Sequence, residues 1–247
     1  METTIQHDNP TDIGVMPDPE IEAMMKAGIH LGHAKTKDHA SMKPYIYGVR
    51  NNISIIDLAA TEEKLKTGLE FLTRISRAGG LVLLVGTRPG ARKVILERAV
   101  ELQMPSFTER WIGGTLTNFK VISKRVEYME TLEKEKASGE FEKYTKKERM
   151  KKEEEIVRLK RFFDGLRRLK KLPDAVLVVD TTHDTTAVRE ARRMKIPIVA
   201  LVDTNADIRA IDYPIPSNDD ALPAIRYMLG RMAHAIEEGR KGGIETQ

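Results

Sequence analysis

Two apolar runs that each end on an aspartate decide the fold: AVLVVD at residues 175–180 and IPIVALVD at residues 196–203. Neither run alternates apolar with polar residues, so each is typical of a strand buried on both faces of a parallel sheet. Residues 185–195, between the two runs, carry apolar side chains at helical spacing. A helix between two parallel strands makes a right-handed crossover. The stretch 173–217 therefore predicts a βαβ unit.

Composition restricts the class of protein. The chain has 247 residues, a formal net charge of +4 and no cysteine. The lack of cysteine excludes a disulfide framework and Cys-ligated zinc, and it fits a reducing compartment. No apolar run is long enough to span a bilayer, and residues 1–17 lack the pattern of a secretion signal. We therefore expect a cytoplasmic protein with no membrane partner and a disordered lead at residues 1–17.

The distribution of charge says more than the total. Basic residues gather at 35–50, 88–98, 110–125 and 143–171, whereas the last third of the chain is rich in aspartate. Such asymmetry favours a polyanionic partner on one side of the molecule.

Strands and helices alternate along most of the chain. Predicted strands lie at residues 52–58, 81–85 and 105–108, and predicted helices lie at residues 18–29, 61–77, 91–103 and 221–238. Thr61 is expected to cap the second of these helices, and Met25 is expected to face the core. This order predicts an α/β fold with a doubly wound parallel sheet.

Residues 118–171 interrupt the alternation, because they contain no strand candidate. Apolar residues recur at helical spacing on both halves of this segment, and Gly139 lies between the halves, where the chain must reverse. Two amphipathic helices of this kind are expected to form an antiparallel hairpin. The predicted organisation is a sheet domain at 18–117 and 172–240, an inserted coiled-coil arm at 118–171 and a flexible tail at 241–247.

Polar side chains follow the predicted strands at the edge where open α/β sheets bind ligands. These side chains are Asp180, His183, Asp184, Asp203, Asp219 and Asp220. Together with His33 they have the chemistry to hold a divalent ion. Acids at strand ends also cap the helices that follow, and we favour capping by Asp184 and Asp219. The alternative is an α/β enzyme or a nucleotide- or metal-binding protein that uses the edge near Asp180 and Asp203.

No catalytic motif supports that alternative. The loop GTRPG at residues 86–90 follows a strand and opens a helix, but it lacks the spacing of a phosphate loop. Pro89 also removes a backbone N–H that a phosphate cradle would use. No nucleophile lies beside a base and an acid at a recognisable spacing. We therefore predict no catalytic residue, no cofactor and no metal ligand.

The most specific stretch is RWIGGTLTNFK at residues 110–120, which joins the sheet domain to the arm. Gly113 and Gly114 allow a tight turn, and Thr117 or Asn118 is expected to cap the first arm helix. The single tryptophan, Trp111, is able to pack this joint or to stack on RNA, and we expect it mainly to pack.

Taken in order, several motifs resemble the bacterial-type family of small-subunit ribosomal protein two (uS two). They are AGIHLGH (27–33), MKPYI (42–46), IIDL (55–58), VGT (85–87), RWIGGTLTNF (110–119), LPDA (172–175), IVALVDTN (198–205), DYPIP (212–216) and NDDA (218–221). The resemblance implies a flavodoxin-like sheet with an inserted α-helical coiled-coil hairpin. It also implies a non-enzymatic protein of the small subunit that binds 16S rRNA at the head–body junction, contacts neighbouring ribosomal proteins and helps to dock ribosomal protein one.

Basic side chains are expected to neutralise RNA phosphates and release counterions. The predicted RNA-binding residues are Lys35, Lys37, Lys43, Arg50, Arg88, Arg92, Arg110, Lys120, Lys124 and Arg125. Tyr45 or Tyr47 is suited either to stacking on an exposed base or to packing in the core. A scaffold whose arm binds only protein is a further alternative.

Overall fold

A computed structural model describes residues 18–244, so the predicted disordered lead at residues 1–17 lies outside the described residues. The described helices and strands are α1 (Pro19–Lys26), β1 (Leu31–Ala34), β2 (Ile46–Arg50), β3 (Ile53–Ile56), α2 (Leu58–Arg77), β4 (Val82–Val85), α3 (Pro89–Glu101), β5 (Ser106–Phe107), α4 (Phe119–Ala137), α5 (Lys146–Phe163), β6 (Ala175–Val178), α6 (Thr185–Arg193), β7 (Ile198–Val202), β8 (Tyr213–Pro216) and α7 (Leu222–Ile244).

Five of these strands form a parallel sheet in the order β5-β4-β6-β7-β8. Numbered by their order in the chain, the five strands follow the sequence 2-1-3-4-5. Every residue of β4, β6 and β7 is buried, as expected for strands without polar alternation. The predicted βαβ unit is confirmed, since β6 and β7 are neighbours and α6 connects them.

Side chains of the sheet enter two separate parts of the core, one on each face. Val85, Val178 and Val202 point to one face, where they join a cluster with α6 and the inner residues of α4 and α5. Leu84 and Leu177 point to the other face, where they join a cluster with α1, α2, α3 and α7. The sheet is therefore covered by helices on both faces, and the apolar side of the inserted segment is continuous with one of the two clusters.

The N-terminal part of the chain forms a second, antiparallel sheet in the order β1-β3-β2. The prediction that the strand at 52–58 belongs to the parallel sheet is therefore wrong. The strands β1 and β2 are absent from the sequence prediction. Each contains a glycine, Gly32 or Gly48, and each lies next to basic loop residues, so neither shows the apolar run or strict alternation that marks a strand.

This antiparallel sheet lies over the C-terminal ends of β7 and β8. The His33 amide donates to Thr204 Oγ1 at 3.0 Å, and the His39 amide donates to the Thr204 carbonyl at 2.8 Å. On β8's side, the Asn218 amide donates to the Ile29 carbonyl at 3.1 Å. The approach is closest at Gly32, where a β-carbon would lie only 2.5 Å from Thr204 Cγ2.

The start of the α2 helix differs from the sequence prediction. The α2 helix begins at Leu58, and the Asp57 carboxylate caps it by accepting from the Ala59 amide at 2.9 Å. Thr61, predicted as the cap, lies inside the helix and donates its hydroxyl to the Pro216 carbonyl at 2.8 Å. The predicted cap is wrong because Asp57, four residues earlier, already satisfies the first amides of the helix.

Two further details concern the ends of the described chain. In α1 the buried methionine is Met24, whereas Met25 is exposed, so the prediction that Met25 faces the core is wrong. The α7 helix continues through residues 241–244, where the sequence predicted a tail.

The inserted segment consists of two antiparallel helices. Lys136 pairs with Glu153 at 2.8 Å, and Lys160 pairs with Glu133 at 2.7 Å. Later residues of α5 thus lie beside earlier residues of α4, as in an antiparallel pair. Gly139, with φ of 79°, lies in the reversal between the helices. The inner residues are Ile122, Val126, Met129 and Leu132 on α4, and Ile156, Leu159 and Phe163 on α5. These seven residues form one apolar seam along each helix, as the helical spacing of apolar residues predicted.

The close contact at Gly32 predicts that a larger side chain there would weaken the packing of the antiparallel sheet against the end of β7. We expect Gly32→Ala to lower the free energy of unfolding by about 1–3 kcal/mol, because the new methyl group overpacks the contact with Thr204. The measurement is urea unfolding followed by circular dichroism. Gly48→Ala is the matched control, since no atom of residues 18–244 lies within 4 Å of a β-carbon there. Equal effects of the two substitutions would contradict close packing at Gly32.

Candidate functional site

The strand-end carboxylates converge on His33 and Arg88. His33 Nδ1 lies 3.1 Å from Asp203 Oδ2, and His33 Nε2 lies 3.5 Å from Asp220 Oδ2. The hydrogen bond with Asp203 raises the pKa of the His33 imidazole, although partial burial opposes this effect. His33 follows Gly32 in β1, so the docking of the antiparallel sheet places this imidazole at the edge of the parallel sheet.

The Arg88 guanidinium occupies the space between three carboxylates. Its Nη1 lies 2.9 Å from Asp180 Oδ2 and 3.5 Å from Asp219 Oδ1, and it also contacts Asp220. Arg92 is similarly engaged, with Nη1 at 3.1 Å from Glu109 Oε1. These two predicted RNA-binding residues are thus committed to contacts within the chain.

Asp219 is the most electrostatically unfavourable member of the cluster. The residue is 1% exposed, and its two carboxylate oxygens accept no hydrogen bond from any group in residues 18–244. Burial raises the pKa of this carboxyl to about 9, and the neighbouring charges of Asp180, Asp203 and Asp220 act in the same direction. The contact of 3.5 Å with Arg88 Nη1 opposes the shift without removing it.

The capping roles predicted for Asp184 and Asp219 are wrong. Asp184 precedes α6, but its carboxylate accepts from Thr87 Oγ1 at 2.7 Å and from the Thr87 amide at 3.2 Å. Asn218 Oδ1 instead accepts from the amides of Asp220 and Ala221, each at 2.9 Å, just before α7. Asp184 is engaged by the two buried donors of Thr87, and Asn218 already accepts from the amides that Asp219 was predicted to cap.

The arrangement is poorly suited to an anionic ligand or a metal ion. Within residues 18–244, no group of three or more His, Asp or Glu side chains is arranged to hold a metal ion. Arg88, which precedes Pro89 at the start of α3, turns toward Asp180. The surrounding aspartates would repel a phosphate group. The edge instead holds the chain's own antiparallel sheet.

A second polar site, at the root of the inserted segment, is built around Glu190 of α6. This side chain is only 7% exposed. Its Oε1 accepts from Trp111 Nε1 (3.1 Å) and the Gly114 amide (2.7 Å), and its Oε2 accepts from the amides of Leu116 (2.9 Å) and Thr117 (3.1 Å) and from Thr117 Oγ1 (3.1 Å). Burial alone would raise the pKa of Glu190, but these donors outweigh burial and lower the pKa.

Glu190 is not among the site residues predicted from the sequence. The sequence does contain one indication that Glu190 is buried. This glutamate lies on the same helical face as Ala187 and Ala191, which are buried. A charged residue on an apolar face needs a partner when it is buried. The partner is a loop about 75 residues earlier in the chain, as the sequence separations of 73 to 79 show, and spacing along one chain does not reveal such a pairing.

Trp111 packs the joint, as predicted. Its ring is buried and lies 4.8 Å from the ring of Phe107. Gly114 has φ of 92°, which fits the predicted tight turn. The predicted side-chain cap of α4 is wrong, because Asn118 makes no capping hydrogen bond with its side chain and the Thr117 hydroxyl donates to Glu190.

The other predicted RNA-binding residues lie on the surface. All are exposed, and none forms an ion pair with another residue of the described chain: Lys35, Lys37, Lys43, Arg50, Arg110, Lys120, Lys124 and Arg125. The first four lie on the antiparallel sheet or its loops. The last four lie in the joint or in the first two turns of α4. The structure thus offers eight of the ten predicted side chains to a partner, in two groups.

Comparison with known proteins assigns these features to a family. Residues 24–239 match the model of the family described as Ribosomal protein S2. A small ribosomal subunit protein uS2 from Thermus thermophilus is 42% identical over 225 residues, which cover 91% of this chain and 88% of the relative. The protein of that name from Chloroflexus aurantiacus J-10-fl is 44% identical over 221 residues, covering 90% and 93%. The counterpart from Dehalococcoides mccartyi strain 195 is 42% identical over 225 residues, covering 91% and 92%.

No helix in residues 18–244 combines the length and the apolar character that a membrane span requires.

The buried Asp219 generates a pH-dependent prediction. Its raised pKa means that the folded state binds a proton that the unfolded state releases, so wild-type stability falls as pH rises from 4 toward 9. An asparagine at this position would carry no charge at any pH. We expect Asp219→Asn to be more stable than wild type by about 1–3 kcal/mol at pH 8, with a smaller difference at pH 5. Urea unfolding at both pH values measures this, and a difference independent of pH would contradict it.

Proposed function

Because the chain belongs to the ribosomal protein S2 family, we propose that it binds 16S rRNA at the head–body junction of the small ribosomal subunit. In that family the protein is a structural constituent of the ribosome and not an enzyme. Its partners in this proposal are the rRNA and the neighbouring proteins of the small subunit, and its place of action is the cytoplasm.

The observation that carries the RNA proposal is the set of exposed basic side chains that form no ion pair with any other described residue. Phosphate groups attract cations most strongly where no carboxylate of the protein already neutralises them. Lys35, Lys37 and Lys43 meet this condition on the loops of the antiparallel sheet, and Arg110 and Lys120 meet it at the joint. Arg88 and Arg92 do not, so we assign the RNA contacts to the other eight predicted residues.

The architecture supports a binding role for the inserted helices as well. We propose that α4 and α5 form the family's coiled-coil arm on a flavodoxin-like sheet domain. The strand order 2-1-3-4-5 and the two facing apolar seams support this assignment. The 19 residues of α4 give a helix about 28 Å long. Such a length extends the area over which the protein contacts RNA or a neighbouring protein.

The contents of the strand-end edge argue against the enzyme alternative. Open α/β sheets bind ligands in the crevice outside the carboxyl ends of their strands. Here that crevice receives His33 from the antiparallel sheet and the Arg88 guanidinium, and both pair with the strand-end aspartates. A fold of this class does not by itself imply catalysis, and the edge serves to connect the two sheets.

One exposed apolar surface suits a protein partner. Tyr47 is 81% exposed, and Val49, two residues further along β2 and therefore on the same side of that strand, is exposed as well. Clustered exposed apolar side chains are typical of protein interaction sites. Tyr45, in contrast, packs against the core cluster. We propose that the surface around Tyr47 helps to dock ribosomal protein one.

The RNA proposal predicts the effect of reversing charge on one group. We expect replacement of Lys35, Lys37 and Lys43 together by glutamate to weaken incorporation into the small subunit, because the substituted side chains repel rRNA phosphates. The loss relative to wild type is expected to be at least about tenfold and to be largest at low salt, since phosphate contacts weaken as salt concentration rises. Sedimentation of the tagged protein through a sucrose gradient measures incorporation, and circular dichroism verifies the fold.

A matched control reverses the same amount of charge elsewhere. Lys66, Arg226 and Lys241 are exposed residues of α2 and α7 that form no ion pair within the described chain. Their replacement by glutamate is expected to leave incorporation close to that of the wild type. Equal losses in the two triple variants would show that total charge, and not the loops of the antiparallel sheet, determines binding.

The docking proposal predicts a different pattern for Tyr47. We expect Tyr47→Ala to reduce the amount of ribosomal protein one that sediments with the subunit, while incorporation of the variant itself remains unchanged. Tyr47→Phe, which keeps the ring, is expected to behave as wild type. Interface aromatic residues often contribute about 2 kcal/mol or more, so the expected loss of affinity is on the order of thirtyfold. Reduced incorporation of Tyr47→Ala would instead indicate stacking on an RNA base.

A further inference from the structure

The loop that joins the sheet domain to α4 encloses a single carboxylate. The amides of Gly114, Leu116 and Thr117 point toward one position, which the indole N–H of Trp111 also faces. Consecutive backbone amides that converge in this way form an anion-binding concavity. In this protein the anion is Glu190, which comes from α6. The loop therefore does not offer these amides to an RNA phosphate.

The carboxylate connects two parts of the protein that the chain order separates. Ala187 and Ala191, on either side of Glu190, are buried against the sheet, so α6 is a fixed support. The loop leads directly into α4 at Phe119. Glu190 is thus a polar link between α6 and the loop that leads into α4, and the pair of Arg161 in α5 with Glu109 at 3.1 Å is another link between the inserted helices and the rest of the chain.

We propose that Glu190 is a positioning residue that sets the direction of the α4–α5 arm relative to the sheet domain. The inference rests on the proposed function, because the direction of the arm fixes the distance between the two basic groups. One group, around Lys35 and Lys43, moves with the antiparallel sheet. The other, around Lys120 and Lys124, moves with α4.

The charge and the length of the side chain are both required. Glu190 accepts five hydrogen bonds with two oxygens, three on Oε2 and two on Oε1. A glutamine has only one acceptor oxygen, and its NH2 group would face two or three of the donors. An aspartate is shorter by one methylene group and would not reach the loop while α6 keeps its place on the sheet.

Apolar packing also holds the root of the arm. Its effect on the position of the arm must be separated from the effect of the hydrogen bonds to Glu190. Leu166 and Leu169, after α5, belong to the same core cluster as Ile122 of α4. Gly165 lies close against the backbone of Ser106 in β5. These contacts keep the arm attached, whereas the hydrogen bonds to Glu190 restrict the path of the loop and hence the angle of α4.

The test measures the arm in the full-length protein without RNA. The native chain has no cysteine, so Glu142→Cys near the arm's far end and Arg226→Cys on α7 accept two spin labels specifically. We expect electron–electron distance measurements to give a single narrow distribution, and Glu190→Gln to broaden it about twofold, because the loop gains alternative conformations. Glu127→Gln, at an exposed position of α4, is the control and is expected to leave the distribution unchanged.

Trp111 provides a second measurement on the same samples. It is the chain's single tryptophan, and its indole N–H donates to Glu190. We expect Glu190→Gln to change the emission wavelength and to make the ring more accessible to a neutral quencher, because the joint opens. If this variant fails to fold, Thr117→Val removes only the hydroxyl donor to Glu190, and a smaller broadening of the distance distribution is expected.

The outcomes separate positioning from general stability. A lower melting temperature with an unchanged distance distribution would overturn the proposal, as would unchanged Trp111 emission in Glu190→Gln. Broadening together with reduced incorporation into the small subunit supports it. If the wild type itself failed to enter the subunit, the proposed function would fail, while the distance measurement on free protein would still decide the role of Glu190.

Discussion

Burial of the parallel strands on both faces is the constraint on which the rest of the structure depends. The strands β4, β6 and β7 expose no residue to solvent, and the apolar area they bury contributes roughly 25 cal/mol per Å². One face is covered by α2, α3 and α7, and the other by α6 together with the root of the α4–α5 segment. The inserted helices are therefore not an independent appendage, because residues such as Leu166 and Ile122 complete the core of the sheet domain.

The same sheet explains why the strand-end edge is poorly suited to a ligand. The carboxyl ends of β6 and β7 bring Asp180 and Asp203 close together, and such a set of acids requires neutralisation. The chain supplies it from outside the parallel sheet, with Arg88 from the start of α3 and His33 from β1. Docking of the antiparallel sheet therefore also supplies part of this neutralisation, through His33. Loss of His33 would therefore disturb the connection between the sheets as well as the charge, whereas loss of Arg88 would disturb the charge.

A structural feature could be predicted when its sequence signal lies within one short stretch of the chain, and could not when it depends on residues far apart in sequence. The runs at 175–180 and 196–203 predicted β6 and β7 because burial on both faces leaves a continuous apolar pattern. The strands β1 and β2 escaped prediction because they are short, contain glycine and depend on docking for their burial. Glu190 and the buried state of Asp219 escaped it for a related reason: their environments are made by residues distant in sequence. Trp111 was placed correctly, since a large apolar ring favours burial whatever its partners.

Pairing, and not the number of basic residues, determines which surface remains available to a polyanion. The segment 143–171 is rich in Lys and Arg, yet many of these side chains face glutamates of the neighbouring helix, as Lys160 and Arg167 both face Glu133. Arg167 also lowers the pKa of Glu133 to about 2, which keeps that carboxylate ionised at neutral pH. At the arm's root, Lys120 and Lys124 have no such neighbours among the described residues. A polyanion would therefore gain more from the root and the antiparallel sheet than from the shaft of the arm, although the shaft has the higher density of basic residues.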